Sequence, residues 1–254
     1  MKYEFMSLKG KTALVTGGSR GIGREIARLF AAAGADVAVA SRKQAGVQAV
    51  ADEISAMGRQ SLAVAAHARK PDELEQMVQA VMDRFGRIDI LVNNAAANPG
   101  MGPLIETDTA LFDQIMETNL RGYFVVSRQV GRVMRKQRNG AIINISSAGG
   151  VSPAADLGPY CISKAAINML TKAMALELGP YNIRVNAIAP RFVKTDFSQA
   201  LWANETLMEK EYAQVPLKRI GTAEEIAQSA LYLASSAANY MTGHVLVING
   251  GAFL

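Results

Sequence analysis

The residues best suited to chemistry are a tyrosine and a lysine four positions apart, Tyr160 and Lys164. In a helix this spacing places both side chains on one face, one turn apart. Tyrosine has an ordinary pKa of about 10 and is a weak base at neutral pH, unless a nearby cation favours its phenolate. A neighbouring lysine provides that cation, so the pair is suited to moving a proton. Such pairs also occur in helices by chance, so the surrounding segments decide the interpretation.

Further polar residues stand within or at the ends of the neighbouring segments. Asn119 lies in a stretch of helical periodicity, where an amide side chain needs a partner because it competes with the backbone for hydrogen bonds. Ser147 follows a predicted strand, and Asn93 and Ala95 belong to an Asn-Asn-Ala-Ala run that ends another. Ligands of open α/β sheets bind at the carboxyl ends of the strands. We therefore expect these residues at a ligand-binding edge.

A glycine-rich turn connects the first predicted strand to the first predicted helix. It contains Gly17, Gly21 and Gly23, in the spacing Gly-x3-Gly-x-Gly. Glycine lets the backbone approach a phosphate closely, and the helix that follows offers unpaired N–H groups and a partial positive charge. The turn predicts a site for the pyrophosphate of a dinucleotide.

The end of the second predicted strand bears on the type of dinucleotide. Chains that bind NAD usually carry an acid here to hold the ribose hydroxyls, whereas a 2′-phosphate requires cations. This chain has Ser41 and Arg42, and no acid stands at Ala40, Ser41 or Arg42. Arg42 can make a bidentate contact with phosphate, Ser41 can donate to it, and Arg20 can approach from the glycine turn. NADP(H) is therefore the predicted cofactor, the alternative being that Arg42 is a solvated loop charge.

Composition excludes several other classes of protein. Of the 254 residues, 50% are hydrophobic and 19% are charged, which suits a large core and argues against disorder. The net charge of +5 is scattered in short runs, so a solvated surface is favoured over nucleic-acid binding. No apolar run is long enough for a membrane helix, and a single cysteine, Cys161, fits a reducing compartment. No metal-spaced cluster accompanies His67 or His244. We expect a cytoplasmic protein.

The elements that position these residues are seven short apolar runs that alternate with helical patterns. The predicted strands are Thr12–Thr16, Asp36–Ala40, Ser61–Ala65, Ile88–Asn93, Ala141–Ser146, Arg184–Ala189 and His244–Ile248. The predicted helices are Ile22–Ala33, Gln44–Met57, Asp72–Phe85, Ala110–Arg135, Pro159–Leu178 and Ala223–Ser235. This alternation predicts a single α/β domain over residues 1–254, a Rossmann-type doubly wound sheet of seven parallel strands flanked by helices.

Residues 190–221 interrupt this alternation after the sixth predicted strand. The segment is irregular and rich in large apolar residues, namely Phe192, Phe197, Leu201, Trp202, Met208 and Tyr212. Long insertions at the ligand edge of such a sheet are usually functional. We expect a substrate lid rather than an ordinary packing excursion.

In combination these motifs resemble the short-chain dehydrogenase/reductase family. The resemblance extends from Lys11 to Gly251. Within the family, the chain most resembles the branch of the NADPH-dependent carbonyl and retinal reductases. The motifs that carry it are Thr-Gly-x3-Gly-x-Gly, Asn-Asn-Ala, Asn119, Ser147, Tyr160-x3-Lys164 and Ile183-Arg184-Val185-Asn186 before Pro190.

The resemblance implies a role for each catalytic residue. Tyr160 would be the general acid and base, and Ser147 would hydrogen-bond the substrate oxygen. Lys164 would lower the pKa of Tyr160 and hold the nicotinamide ribose, while Asn119 would anchor a water molecule of a proton relay. These four residues are the predicted catalytic set.

The resemblance also supplies the cofactor contacts. Val193 and Thr195 match positions that hold the carboxamide, Pro190 lies beside the nicotinamide, and Arg42 matches the cationic position of members that use NADP(H). The predicted cofactor-binding residues are Gly17, Ser19, Arg20, Gly21, Ile22, Gly23, Ser41, Arg42, His67, Ala68, Asn93, Ala95, Tyr160, Lys164, Pro190, Val193 and Thr195.

Three positions depart from the commonest family pattern. Ala96 replaces a glycine, and His67 replaces an aspartate that commonly meets the adenine, where a histidine offers a ring nitrogen or stacking. Arg191 replaces the glycine that usually follows Pro190. Arg191 either lies in solvent after a local backbone change or meets an anionic group of the substrate.

The reaction implied is hydride transfer between nicotinamide and a carbonyl or secondary alcohol carbon. The substrate would be a small or medium organic molecule, and the protein a homotetramer that pairs the long helices around Asn119 and Lys164. Two alternatives remain open. One is a 3-oxoacyl-thioester reductase acting on an acyl carrier protein or CoA substrate, and the other is a non-catalytic dinucleotide sensor.

Overall fold

The strands of the computed structural model, which describes residues 4–203 and 205–252, form one sheet. They are β1 (Thr12–Thr16), β2 (Asp36–Ser41), β3 (Ser61–Ala65), β4 (Ile90–Asn93), β5 (Gly140–Ile145), β6 (Ile183–Pro190) and β7 (Val245–Ile248). All seven pair in parallel, in the order β3-β2-β1-β4-β5-β6-β7. This is the predicted Rossmann-type sheet.

Helices cover both faces of the sheet. They are α1 (Gly21–Ala32), α2 (Gln44–Ala56), α3 (Pro71–Phe85), α4 (Thr109–Met116), α5 (Gly122–Gln137), α6 (Gly158–Leu178), α7 (Gln199–Trp202), α8 (Glu205–Gln214) and α9 (Ala223–Ala234). Helices α1, α2 and α9 pack into one hydrophobic core, and α3, α5 and α6 pack into the other. The capping box of Thr222 and Glu225 begins α9.

The alternation of side chains along each strand divides the two cores. In β1, Ala13 and Val15 join the core beneath α1, whereas Leu14 between them joins the core beneath α5. All five residues of β1 are buried, because a parallel sheet is covered on both faces. Burial on both faces explains why the strands appear in the sequence as unbroken apolar runs.

Two predicted boundaries are wrong for local reasons. The fourth strand begins at Ile90 rather than Ile88, because the side-chain amide of Gln137 bonds both the N–H and the carbonyl of Ile88. The predicted helix over residues 110–135 is not continuous, since α4 ends at Met116 and a π turn, Glu117–Arg121, precedes α5.

The region predicted as an irregular lid contains two helices, α7 and α8. Its ends are pinned together, since the backbones of Val193 and Gly221 form an isolated bridge. Phe197 is exposed and Met208 is buried, whereas the side chain of Leu201 lies outside the described residues. The segment is therefore largely helical, and its two ends lie side by side.

The order of the strands fixes where a ligand can bind. Strands β1 and β4 are neighbours although the chain between them runs outward through β2 and β3, so the connections leave their carboxyl ends in opposite directions. A crevice opens at such a point. The segments that follow β1 to β6 at this edge carry most of the predicted site residues.

No helix within residues 4–203 and 205–252 is long and apolar enough to cross a membrane.

The amino end of the sheet holds a buried carboxylate, Asp89, whose side chain is 1% exposed. The guanidinium of Arg87 donates two hydrogen bonds to it, at 2.8 and 2.6 Å, and the backbone N–H of Thr12 donates a third, at 2.9 Å. These bonds tie the start of β4 to the start of β1, far from the crevice.

Replacing Arg87 by Met should lower the free energy of unfolding by about 2–3 kcal/mol, because it leaves the buried carboxylate of Asp89 without its main partner. Urea unfolding followed by circular dichroism measures the change. The matched control is Arg128→Met, which breaks an exposed ion pair with Glu75 and should cost less than about 1 kcal/mol. Equal losses in the two variants would contradict the assignment.

Candidate active site

A cavity of about 900 Å³ lies along the carboxyl edge of the sheet. The order of the strands places His67 and Arg42 at one end, the glycine turn near the middle, and Ser147 and Arg191 at the other end. The cavity therefore spans both halves of the sheet, as the crevice of a doubly wound fold should.

Ser147 and Tyr160 both line this cavity, and the Ser147 hydroxyl lies close enough to Tyr160 to lower its pKa. Ser147 follows β5 in extended conformation, and its hydroxyl accepts a hydrogen bond from the N–H of Gly149 at 3.1 Å. That bond fixes the oxygen and leaves the hydroxyl proton available for donation. Tyr160 stands in the first turn of α6.

Lys164 lies one turn beyond Tyr160 and is buried, with 1% of its surface exposed. Its ammonium donates to the carbonyl oxygen of Ile145 at 2.8 Å and lies 5.5 Å from the centre of the Tyr160 ring. The predicted i, i+4 pair is therefore present, with the lysine beneath the tyrosine.

The pKa values of this pair differ from the sequence expectation. Burial raises the pKa of Tyr160 to about 12, although its hydrogen bond with Ser147 acts in the opposite direction. Burial lowers the pKa of Lys164 to about 7. In the protein alone, the pKa of Tyr160 therefore stays above its ordinary value, because desolvation outweighs the contribution of Ser147.

Asn119 is fully buried in the π turn between α4 and α5. Its side chain accepts from the N–H of Ala97 at 2.8 Å and donates to the carbonyl of Ala97 at 3.1 Å and to the hydroxyl of Ser163 at 3.0 Å. The amide thus joins the loop after β4 to α6, and it does not line the cavity. Its hydrogen bonds fix the loop after β4, which forms one wall of the cavity, to helix α6.

Tyr123 is a residue of the site that sequence reasoning missed. It is 2% exposed, its hydroxyl donates to the carbonyl of Ile145 at 3.1 Å, and the ammonium of Lys164 lies 5.4 Å from its ring centre. Its position four residues after Asn119 was the available signal, because that spacing puts both on one helix face.

The glycine turn is held open by a side chain from the loop after β4. The amide of Asn94 donates to the carbonyls of Thr16 at 3.2 Å and Gly17 at 3.0 Å. Gly17 has a φ of 64°, and a Cβ there would lie 2.7 Å from the Asn94 amide nitrogen. A Cβ on Gly23 would overlap the carbonyl oxygen of Gly17. The backbone itself therefore lines the cavity at this turn.

The β2 side of the cavity is cationic. Ser41, Arg42 and Arg69 line it, and Arg42 is exposed. Arg20 also lines the cavity and lies 3.7 Å from the carboxylate of Asp196, which belongs to the segment after β6, and both side chains are mostly exposed.

His67 lines the same end of the cavity. Its Nδ1 accepts the N–H of Arg69 at 3.1 Å, and its own backbone N–H donates to Glu73. Burial and the nearby charges of Arg69 and Arg42 lower the pKa of the imidazole. His67 is therefore neutral at physiological pH, with its proton on Nε2.

Arg191 adopts neither of the two expected arrangements. Its guanidinium is 16% exposed and pairs with the carboxylate of Glu211 on α8, and it also donates to the side chain of Gln214 at 3.0 Å. It is thus neither a solvated charge nor a cation presented alone to the substrate.

Most of the predicted site residues come together around this cavity. Three do not line it: Gly23 packs beneath the turn, Asn119 lies behind the wall, and the Asn93 amide bonds Ser127 and Asn144 inside the sheet. The predicted residues that line the cavity are Gly17, Ser19, Arg20, Gly21, Ile22, Ser41, Arg42, His67, Ala68, Ala95, Ser147, Tyr160, Lys164, Pro190, Val193 and Thr195. Asn94, from the Asn-Asn-Ala-Ala run, lines it too, and sequence reasoning missed Asn98, Gln114, Thr118 and Gln214, which also line it.

The part of the chain that the structure describes contains no group of histidine, cysteine and acidic side chains that could hold a metal ion. Cys161 is buried, as expected for a packed thiol.

A family model described as enoyl-(acyl carrier protein) reductase matches residues 17–252. Dehydrogenase/reductase SDR family member 4 of Sus scrofa is 38% identical over 244 residues, which cover 96% of this chain and 88% of that protein. The 3-oxoacyl-(acyl-carrier-protein) reductase FabG of Staphylococcus epidermidis is 40% identical over 247 residues, which cover 96% of this chain and 99% of that protein.

Solved structures resemble the whole chain. A 7α-hydroxysteroid dehydrogenase, complexed with NADH and 7-oxo glycochenodeoxycholic acid, has a TM-score of 0.95 at 34% identity, covering 99% of this chain and 98% of that one. A short-chain type dehydrogenase/reductase from Mycobacterium marinum has a TM-score of 0.91 at 38% identity, covering 98% and 97%.

The burial of Lys164 gives the stability of the protein a pH dependence of known sign. Its pKa is about 7 in the folded chain, against an ordinary 10.5. Between these values the unfolded chain binds more protons at this residue, so stability rises with pH. The cost of burying Lys164 is complete below pH 7 and declines above it. The raised pKa of Tyr160 adds an opposite slope only above its ordinary value of 10.

Replacing Lys164 by Met should therefore remove a slope of up to about 1.4 kcal/mol per pH unit between pH 7 and 10. Urea unfolding at four pH values in this range, on wild type and variant, measures the difference in free energy. Lys172→Met removes an exposed lysine from the same helix and should leave the slope in place. A slope in Lys164→Met equal to that of wild type would refute the burial effect.

Proposed function

This chain belongs to the short-chain dehydrogenase/reductase family, and on that premise we propose that it is an NADP(H)-dependent oxidoreductase. It moves a hydride between the nicotinamide and the carbonyl or secondary alcohol carbon of a small or medium organic substrate. One observation carries this proposal: Ser147 and Tyr160 both line the cavity, and the buried amine of Lys164 lies 5.5 Å from the centre of the Tyr160 ring.

The residues of the cavity fit a dinucleotide. At the glycine turn the backbone is bare where a Cβ on Gly17 would collide with its neighbours, and the first turn of α1 begins there at Gly21. Unpaired N–H groups at a helix start favour a pyrophosphate. Pro190, Val193 and Thr195 line the other side of the cavity, where the resemblance puts the nicotinamide.

The nicotinamide, when bound, supplies or accepts the hydride. The chain's own residues manage the oxygen and its proton. Tyr160 donates its phenolic proton to the carbonyl oxygen, and Ser147 donates a hydrogen bond to the same oxygen as negative charge develops. Lys164 stabilises Tyr160 while it loses the proton, because its ammonium lies beneath the ring.

The pKa of Tyr160 agrees with its role as the proton donor. At about 12, it keeps the hydroxyl protonated at neutral pH, which is the form that donates during reduction of a carbonyl. The lowered pKa of Lys164, about 7, allows that side chain to exchange a proton in the same pH range. The buried Asn119 positions the α6 helix that carries both residues, acting through Ser163.

The cationic end of the cavity supports NADP(H) over NAD(H). Arg42 follows β2 and is exposed to the cavity, with Ser41 beside it and Arg20 on the glycine turn. A guanidinium binds a phosphate through charge-assisted, paired hydrogen bonds. An acid that would select the ribose hydroxyls of NAD is absent from the sequence at Ala40, Ser41 and Arg42.

Arg42→Ala should lower kcat/KM for NADPH by about 10–100-fold, because charged hydrogen bonds contribute about 1.5–3 kcal/mol each. The value for NADH should change by less than about threefold. A panel of ketones, aldehydes and secondary alcohols, followed at the nicotinamide absorbance with both cofactors, provides the substrate and the measurement. Arg132→Ala removes an exposed arginine outside the cavity and serves as control. A wild type that prefers NADH would overturn the cofactor assignment.

Tyr160→Phe should lower kcat by about 10²–10⁴-fold, the usual contribution of a general acid. The variant should keep its affinity for NADPH, measured by quenching of Trp202, the chain's only tryptophan. Tyr181→Phe removes a hydroxyl outside the cavity and should leave kcat unchanged. Full turnover by Tyr160→Phe would show that another group provides the proton.

A second candidate is a 3-oxoacyl-thioester reductase. Its support is the 40% identity with the reductase of Staphylococcus epidermidis, over 99% of that protein. Acetoacetyl-CoA and an acetoacetylated acyl carrier protein belong in the same panel, and a kcat/KM far above that of simple ketones would favour this reading. Binding of NADPH without turnover of any compound would instead favour a dinucleotide sensor.

We also propose a cytoplasmic homotetramer that acts on a small molecule and binds neither nucleic acid nor membrane. The outer faces of α5 and α6 expose large apolar side chains, including Phe124, Met169 and Leu176. A shallow cavity at this face is lined by Met116, Leu120 and Leu170, among others. Apolar patches of this kind suit pairing between subunits.

A further inference from the structure

A buried ion pair joins the carboxyl edge of the sheet to the lid helix α8. Arg191 follows the last residue of β6, and Glu211 lies on the inner face of α8. The guanidinium contacts both carboxylate oxygens of Glu211, one of them at 2.8 Å. The side chains are 16% and 6% exposed. The two charges are therefore paired through a fork of hydrogen bonds and largely removed from water.

Such a pair fixes the position of a helix firmly. Removing one partner leaves a buried charge uncompensated, which the fold tolerates only by exposing that charge to water. Here exposure would require α8 to move away from the end of β6. The inner face of α8 otherwise offers Met208 as a buried apolar anchor. The Arg219–Glu225 pair at the base of the same segment is different, because its side chains are 52% and 38% exposed.

Arg191 also determines the orientation of an amide. A guanidinium has only N–H donors, so Gln214 must turn its oxygen toward Arg191, which it does at 3.0 Å. The NH₂ group of Gln214 then remains available to donate a hydrogen bond to a ligand. Gln214 lines the cavity together with Phe192 and Phe197 of the same segment.

We propose that Arg191 and Glu211 are positioning residues that hold α8 over the cavity and turn Gln214, a specificity-determining residue, so that its NH₂ group meets the substrate. The substrate class that fits is an uncharged carbonyl compound with a second acceptor oxygen, such as an ether, ester or further carbonyl. A carboxylate is not selected, because Glu211 already neutralises Arg191. This inference about the substrate rests on the proposed function.

The first arm of the test needs no substrate. Hydrogen–deuterium exchange of the peptide over residues 205–214 is compared in wild type, Arg191→Met, Glu211→Gln and Arg219→Met. Both changes to the buried pair should speed exchange of α8 by at least tenfold, while Arg219→Met should not. Circular dichroism confirms that each variant is folded. If Arg191→Met does not fold, Glu211→Gln, which keeps the size of the side chain, provides the test of the buried pair. Unchanged protection of α8 in a folded variant of the buried pair would overturn the positioning role.

The second arm uses pairs of ketones that differ only by an ether oxygen in place of a methylene, such as tetrahydropyran-4-one and cyclohexanone, with longer linear pairs. In at least one pair wild type should favour the ether at least fivefold in kcat/KM, through KM. Gln214→Met, which keeps the length but removes the donor, should reduce the ratio to about one. Arg191→Met should reduce the ratio as well.

The outcomes separate the two levels of inference. Turnover without preference in any pair, or a preference that survives Gln214→Met, overturns the role of Gln214 and leaves the proposed function standing. No reduction of any ketone with either cofactor counts against the proposed function, while the exchange of α8 still decides the role of the Arg191–Glu211 pair.

Discussion

The carbonyl oxygen of Ile145, at the end of β5, is the point on which the chemistry of this molecule depends. It accepts hydrogen bonds from the ammonium of Lys164 and the hydroxyl of Tyr123. A carbonyl attracts an ammonium without neutralising it, so Lys164 remains a buried group whose pKa falls to about 7. A carboxylate in the same place would have raised that pKa and fixed the proton. The site thus keeps a titratable cation beneath Tyr160 because the sheet ends in a backbone acceptor.

The helix that carries Tyr160 and Lys164 is held to the sheet by directional polar contacts rather than by apolar packing alone. The hydroxyl of Ser146 donates to the carbonyl of Lys164, and the amide of Asn144 donates to the hydroxyl of Thr171, two turns further along. Asn119 adds a bond from the π turn to the same helix. Buried polar groups are costly unless each finds its partner, so rotation or sliding of α6 would break several bonds together. Their arrangement specifies one register for the catalytic face.

Much of the fold could be predicted from sequence because its signals are local. Strands buried on both faces read as apolar runs, and the capping box at Thr222 marks a helix start whatever the tertiary structure. The π turn at Asn119 could not be predicted, because it depends on hydrogen bonds to segments that are distant in sequence. Helix α8 could not be predicted, because its buried face combines Met208 with the charged Glu211. A charged residue among the buried positions breaks the apolar periodicity by which a helix is recognised. The partner of Arg191 was unpredictable for the same reason.

The charges of the cavity differ between its ends, and this difference follows from which cations have partners. Near β2 and the glycine turn, Arg42 and Arg20 are exposed, and the Asp196 carboxylate near Arg20 is itself solvated at 3.7 Å. Solvated pairs of this kind contribute little and exchange readily for a better anion. Beyond β6 the cation is buried and bound to Glu211, so exchange would leave a carboxylate stranded. One end of the cavity therefore carries exposed cations, while the cation at the other end is already paired with a carboxylate.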